Sequence, residues 1–232
     1  MLKQPRQFLI FLLVLPAGLA GAADVKDRSL FSILDGLVYP VETIRFSAEG
    51  KRSHSRGSGF VMGRYYVTAT KHLGHNPDTI SYVAGKPLWH GSHFSRLKIS
   101  VLPLSDSACQ TLCSQAPVAM APETQDGQAI TWMDKALGRT SLVHAHVSRA
   151  DPIAANAGAS CEEAAWIKVD QPFRPESFGV PVVNAGDGAI IGVAVDNLRL
   201  PEGTFGVVVP FSCLLTTGQE KGSRGLAQVK SS

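Results

Sequence analysis

Ser177 and His72 are the side chains from which this chain could build an acyl-transfer centre. A serine hydroxyl attacks a carbonyl when an imidazole takes its proton, and a buried carboxylate must orient that imidazole. Asp78, Asp106 and Asp134 are the acids that could fill the third role. The histidines also invite a metal reading. His72 and His75 stand three apart, as do His90 and His93, and His144 and His146 would share one face of a strand. No carboxylate or thiol near any pair completes a tetrahedral set, so neither a metal site nor a cofactor is expected. Cys109, Cys113, Cys161 and Cys213 match no usual zinc spacing and are expected to oxidise in pairs. Three pairings exist. The favoured one joins Cys109 to Cys113 as a local loop and Cys161 to Cys213 as a long-range staple.

Those groups need a scaffold. Short β-rich runs bounded by Gly, Pro, Asn, Asp or Ser fill the chain: Thr43–Ala48, Gly59–Met62, Tyr65–Ala69, Thr79–Val83, Ile99–Leu104, Ala129–Trp132, Leu142–Val147, Ala165–Val169, Pro181–Val183, Ala189–Val195 and Gly206–Val209. Ala185-Gly186-Asp187-Gly188 between two apolar runs reads as a hairpin turn. Helical periodicity is confined to Leu30–Leu37 and the last twenty or so residues. The basic stretch Lys51-Arg52-Ser53-His54-Ser55-Arg56 and the segment from Asp134 to Arg139 read as solvated loops. So many short strands predict an all-β antiparallel sandwich or barrel.

The 232 residues are 44% hydrophobic and 18% charged, enough apolar surface for a real core. The net charge of +3 comes without any long Lys/Arg run, so nucleic acid is not an expected partner. Lys3 and Arg6, the apolar run Phe8–Leu15 and Ala20-Gly21-Ala22 form a leader with an A-x-A cleavage site. The run is well short of the roughly 20 residues of a spanning helix, so no stable membrane insertion is expected after cleavage. Export agrees with oxidised cysteines, and the chain has no Asn-x-Ser/Thr sequon. A periplasmic location is expected, with release to the outside as the other route.

Five segments, in order and spacing, resemble the trypsin-like (chymotrypsin-fold) serine proteases. Gly57-Ser58-Gly59-Phe60-Val61-Met62 followed by Tyr66-Val67-Thr68-Ala69-Thr70-Lys71-His72 is similar to the family's opening, which ends on its base histidine. Lys98-Ile99-Ser100-Val101-Leu102-Pro103-Leu104 resembles the strand that begins with the orienting Asp. Asp126-Gly127-Gln128 fits the start of the second barrel. Glu176-Ser177-Phe178-Gly179-Val180-Pro181-Val182-Val183-Asn184, then Gly188-Ala189-Ile190-Ile191-Gly192-Val193, resembles the nucleophile loop and its following strand. Phe205-Gly206-Val207-Val208-Val209-Pro210 is similar to the strand that closes the second barrel. The resemblance implies a double six-stranded antiparallel β-barrel with short terminal helices. It divides the chain into a leader (1–22), an N-terminal segment (23–42), a double-barrel domain (43–215, first barrel about 43–121, second about 122–210) and a polar tail (216–232).

The same resemblance argues against the reaction. It puts His72 at the base position, Lys98 where the orienting Asp belongs and Phe178 where the nucleophile belongs. In the oxyanion loop, Glu176 and Val180 replace glycines around the retained Gly179. A lysine cannot accept the imidazole N–H, a phenyl ring has no nucleophilic atom, and Val does not readily adopt a glycine's backbone geometry. The implied function is a catalytically inactive pseudoprotease that binds a protein or extended peptide, in an envelope assembly such as a secretion or conjugation system. The alternative is an active endopeptidase in which Ser177, one residue from the expected slot, attacks with His72 as base and a non-standard carboxylate behind it. A one-residue slip at Thr68-Ala69 would accompany it.

Overall fold

The computed structural model describes residues 19–73, 79–88, 91–94, 97–113, 119–121, 124–136, 139–148 and 166–214. The expected leader run, the polar tail, His75, Asp78, His90 and Cys161 lie outside the described residues. Helix α1 (Leu19–Leu37) contains the expected Leu30–Leu37 segment and extends it toward the N-terminus. Leu30, Leu34 and Leu37 recur at helical spacing and are buried, so this one stripe holds the helix down. Lys135 fastens its C-terminal end: Nζ donates to the Val38 carbonyl at 2.7 Å and pairs with Asp35 at 2.9 Å.

Seven strands form the first sheet: β1 (Val38–Phe46), β2 (Arg52–Met62), β3 (Tyr65–Ala69), β4 (Thr79–Val83), β5 (Lys86–Pro87), β6 (Ser92–Phe94) and β7 (Ile99–Pro103). Their order is β5-β4-β1-β2-β3-β7-β6, with antiparallel neighbours throughout. Among the described residues this sheet curls without closing, because its edge strands β5 and β6 have only two and three residues. Helix α2 (Asp106–Leu112) follows, capped by Ser105, whose Oγ accepts from the Ala108 N–H. The disulfide Cys109–Cys113 clips its C-terminal end. Cys213 is also disulfide-bonded.

The second unit is a closed barrel of β8 (Ala129–Ala136), β9 (Arg139–Ser148), β10 (Ile167–Val169), β11 (Pro181–Asn184), β12 (Ile190–Leu200) and β13 (Gly203–Pro210), in the order β10-β13-β12-β11-β8-β9. The expected turn at Ala185–Gly188 joins β11 to β12, with the Gly188 N–H on the Asn184 carbonyl. Two sequence expectations change. Arg52–Arg56 belong to β2, where each residue pairs with β1, and Asp134–Ala136 extend β8. Backbone pairing is a tertiary property that charge composition does not reveal.

One apolar cluster runs through both units, from Phe60, Val67 and Ile99 of the first sheet to Trp132, Val182, Ile190 and Val208 of the barrel. A smaller cluster under the first sheet holds Val41, Tyr66, Val83 and Leu102 against Ala108 and Leu112 of α2. The candidate site lies at the seam that the large cluster bridges. Among the described residues no helix is long and apolar enough to cross a membrane.

Candidate active-site cleft

A 3-10 turn (Thr70–His72) ends β3 and carries Lys71 and His72, both of which approach Phe178. The His72 ring is buried against Gly57: a Cβ added there would lie 2.2 Å from its Cγ, so only glycine leaves room for it. The His72 carbonyl accepts from Thr43 Oγ1 at 2.6 Å. Its ring is hydrogen-bonded to the Phe178 backbone, while Nε2 is buried and has no hydrogen-bond partner. Burial, and then the charge of Lys71, lower its pKa to about 4, so the imidazole is neutral at neutral pH.

Lys71 Nζ stands 3.0 Å above the centroid of the Phe178 ring. The same ammonium lies 3.6 Å from Asp196 Oδ1, and Lys98 Nζ donates to Asp196 Oδ2 at 2.7 Å. Asp196 reaches the seam from β12 and thus sits between two lysines. Burial lowers the Lys71 pKa against the opposing pull of Asp196. Burial acts to raise the Asp196 pKa, but the hydrogen bonds from Lys98 and the Asn197 N–H, with both lysine charges, hold it below the ordinary value. Lys98 enters β7 with φ 55°, a left-handed conformation unusual for a side chain with a Cβ.

Phe178 follows a second 3-10 turn (Pro175–Ser177), and its ring is buried. It meets the Phe173 ring edge-on at 6.4 Å, and Phe173 in turn packs on Trp132 at 4.6 Å. The aromatic slot is thereby continuous with the core. Ser177 is 1% exposed and points elsewhere: its Oγ donates to Asp134 Oδ1 at 2.8 Å. Asp134, itself buried, also pairs with Arg174 at 3.2 Å. Three of the loop's backbone donors are engaged as well. The N–H of Ser177 bonds the Arg174 carbonyl, that of Gly179 the Ala194 carbonyl at 2.7 Å, and that of Val180 the Ser177 carbonyl. Gly179 has φ +91°, and a Cβ there would collide with the Ser58 carbonyl. Beside the cluster, a cavity of about 310 Å³ opens between Lys98, Trp166, Lys168, Asp196, Leu198 and Val207.

No protein-family model and no curated protein matches the sequence. Structural likeness does reach known proteins. The Rv3671c protease from M. tuberculosis in its active form superposes with a TM-score of 0.61 at 14% identity, covering 96% of this chain and 95% of that one. The serine endoprotease from Yersinia pestis gives 0.59 at 16% identity, covering 85% of this chain and 66% of that one.

The chain has the trypsin-like fold.

Within that fold, the structure brings His72, Lys98, Phe178 and Gly179 to one seam. It places Ser177 and Asp134 together in the second barrel, where the carboxylate holds the serine itself and no histidine. No hydrogen bond joins Ser177 to His72 among the described residues. Asp106 is exposed on α2 and pairs with Arg64, away from this seam. Among the described residues no three His, Cys, Asp or Glu side chains converge on a metal geometry. Sequence reasoning missed Lys71 and Asp196. Lys71 was reachable: counting two residues on from Thr68-Ala69 lands on it and not on His72. Asp196 gave no signal, being 98 residues from the Lys98 it binds.

Proposed function

We propose that this chain is an exported, non-catalytic trypsin-like module that binds a protein or an extended peptide without cutting it. The observation that carries the reading is the buried Phe178 ring with the Lys71 ammonium seated on its face. Acyl transfer needs a nucleophilic atom beside a proton acceptor. Here a phenyl ring faces a cation, and the hydroxyl of the adjacent Ser177 is bonded to Asp134. The adjoining cavity has apolar walls from Trp166, Leu198 and Val207, a surface on which a peptide side chain can dock. Strand addition at such a cleft needs no nucleophile. The setting we propose is the periplasm, in an envelope assembly such as a secretion or conjugation system, and the Cys109–Cys113 disulfide fits that oxidising compartment.

A fluorophosphonate probe tests the inactivity. The purified protein is expected to remain unlabelled. A band that appears with wild type and vanishes in Ser177→Ala overturns the proposal in favour of an active serine centre.

A further inference from the structure

The outward face of β1, β2 and β4 has the wrong polarity for a sheet that meets only water. In a one-sided antiparallel sheet, apolar side chains point inward and polar ones outward. Directly paired residues share a face, so the register sorts these strands without ambiguity. Thr43 pairs with Ser81 on the inner face, and their hydroxyls bond each other at 2.9 Å in the interior. The outer face carries Ile44 opposite Ile80, Glu42 opposite Tyr82, and Phe46. Ile80 is 41% exposed, one of three large apolar side chains so exposed among the described residues. The core side of β1 and β4 thus carries the Thr43–Ser81 hydroxyl pair beside the buried Val41–Val83 pair, and an aliphatic and aromatic stripe occupies the solvent side.

Two arginines and a histidine border that stripe along one edge. On β2, Arg56 pairs with Glu42, His54 with Ile44 and Arg52 with Phe46. The Arg52 guanidinium lies over the Phe46 ring at 5.6 Å. Glu42, the one acid on the face, is neutralised by Arg56 at 3.0 Å. Arg52 and His54 are exposed and have no acidic partner among the described residues.

We infer that this face is a docking surface for an acidic segment of a partner protein, one that carries apolar side chains between its carboxylates. The carboxylates meet Arg52 and His54, and the apolar side chains cover Ile44, Ile80, Phe46 and Tyr82. A bilayer is a poorer occupant. Anionic lipid recognition draws on clusters of about 4–8 cations, and this face has two arginines, one already paired. The flat stripe, half-buried apart from Ile80, also offers little to insert. The inference does not rest on the cleft and stands whether or not the cleft binds peptide.

The test uses the full exported protein and a short fluorescein-labelled peptide alternating Glu with Val and Phe, read by fluorescence anisotropy. Binding is expected to weaken as salt rises. Arg52→Glu with His54→Glu is expected to lower affinity about tenfold or more, and Ile80→Ser to lower it as well. Arg64→Ala, on the β2–β3 turn and outside both the face and the cleft, is expected to leave it unchanged. Thermal melts confirm that the surface variants fold. The inference is overturned if both face variants bind like wild type, if Arg64→Ala abolishes binding, or if an alternating Lys peptide binds equally well. It is also overturned if phosphatidylglycerol–phosphatidylethanolamine vesicles capture the protein through Arg52 and the acidic peptide does not compete.

Discussion

Acidification should destabilise this protein through His72 before most carboxylates titrate. In the folded chain the imidazole keeps its proton off down to a pKa of about 4, against an ordinary value of 6.5. Between those values the unfolded chain binds a proton that the folded chain refuses, so stability falls as pH drops through that window and levels off below it. A gap of about 2.5 units at ~1.4 kcal/mol each gives about 3 kcal/mol. The ring is only 8% exposed, so solvent screening takes little of this away. Urea unfolding of wild type and of His72→Gln from pH 7 to pH 4 is the assay. The glutamine amide can still donate to the Phe178 carbonyl but cannot titrate. Asp196, whose folded pKa is lowered, contributes stability that is lost only as pH falls further, and it does so in both proteins. Wild type is expected to lose about 3 kcal/mol more than the variant across the window. An NMR titration of the His72 ring supplies an independent reading, with a midpoint near 4. Parallel pH profiles for the two proteins, or a ring that titrates near 6.5, refute the burial argument.

Gly57→Ala places a methyl 2.2 Å from the His72 ring, and urea unfolding should show a loss of about 1–3 kcal/mol, as for other overpacked cores. Asp134→Ala strands the buried Ser177 hydroxyl and should cost about 1–3 kcal/mol. Ser177→Ala should cost less, because Asp134 keeps Arg174; thermal melts giving the reverse order would contradict the pairing. Replacing Cys109 and Cys113 together by Ser removes a crosslink of sequence separation 4 and should cost about 2 kcal/mol by loop entropy, measured in denaturant.

The strands were legible where alternation ran between clear turn residues. Tyr65–Ala69 and Thr79–Val83 fall on the observed bounds. β1 starts five residues before the expected Thr43, because Pro40 reads as a break although it sits in the ladder opposite Ser58. Helix α2 escaped notice because its seven residues are too few for a periodic signal, yet the Ser105 cap and the Ala108–Leu112 spacing were there to read. At the cleft, Phe178 was legible from its place before Pro181-Val182-Val183-Asn184. That Lys71 as well as His72 approaches that ring was not, since a 3-10 turn sets side-chain direction through backbone angles.

The side chains at the seam between the two units fit one another. Taken singly, Lys71 and Lys98 would be half-exposed cations and Phe178 a ring open on one face. Together they make a closed set: Phe178 fills the slot, Lys71 covers its face, and Asp196 balances Lys71 and Lys98. Magnitudes rank the members. Burying a Phe side chain stabilises by about 1.5–3 kcal/mol. A cation on a ring adds about 0.5–2 kcal/mol. Ion pairs as open as these, with all three partners 38–44% exposed, add about 0–1 kcal/mol each. The ring therefore supplies most of the stability, and the charges fix the geometry around it. Such a cluster behaves as an extension of the core to the seam between the two units. Lys98 and Asp196 of this cluster also wall one side of the neighbouring cavity.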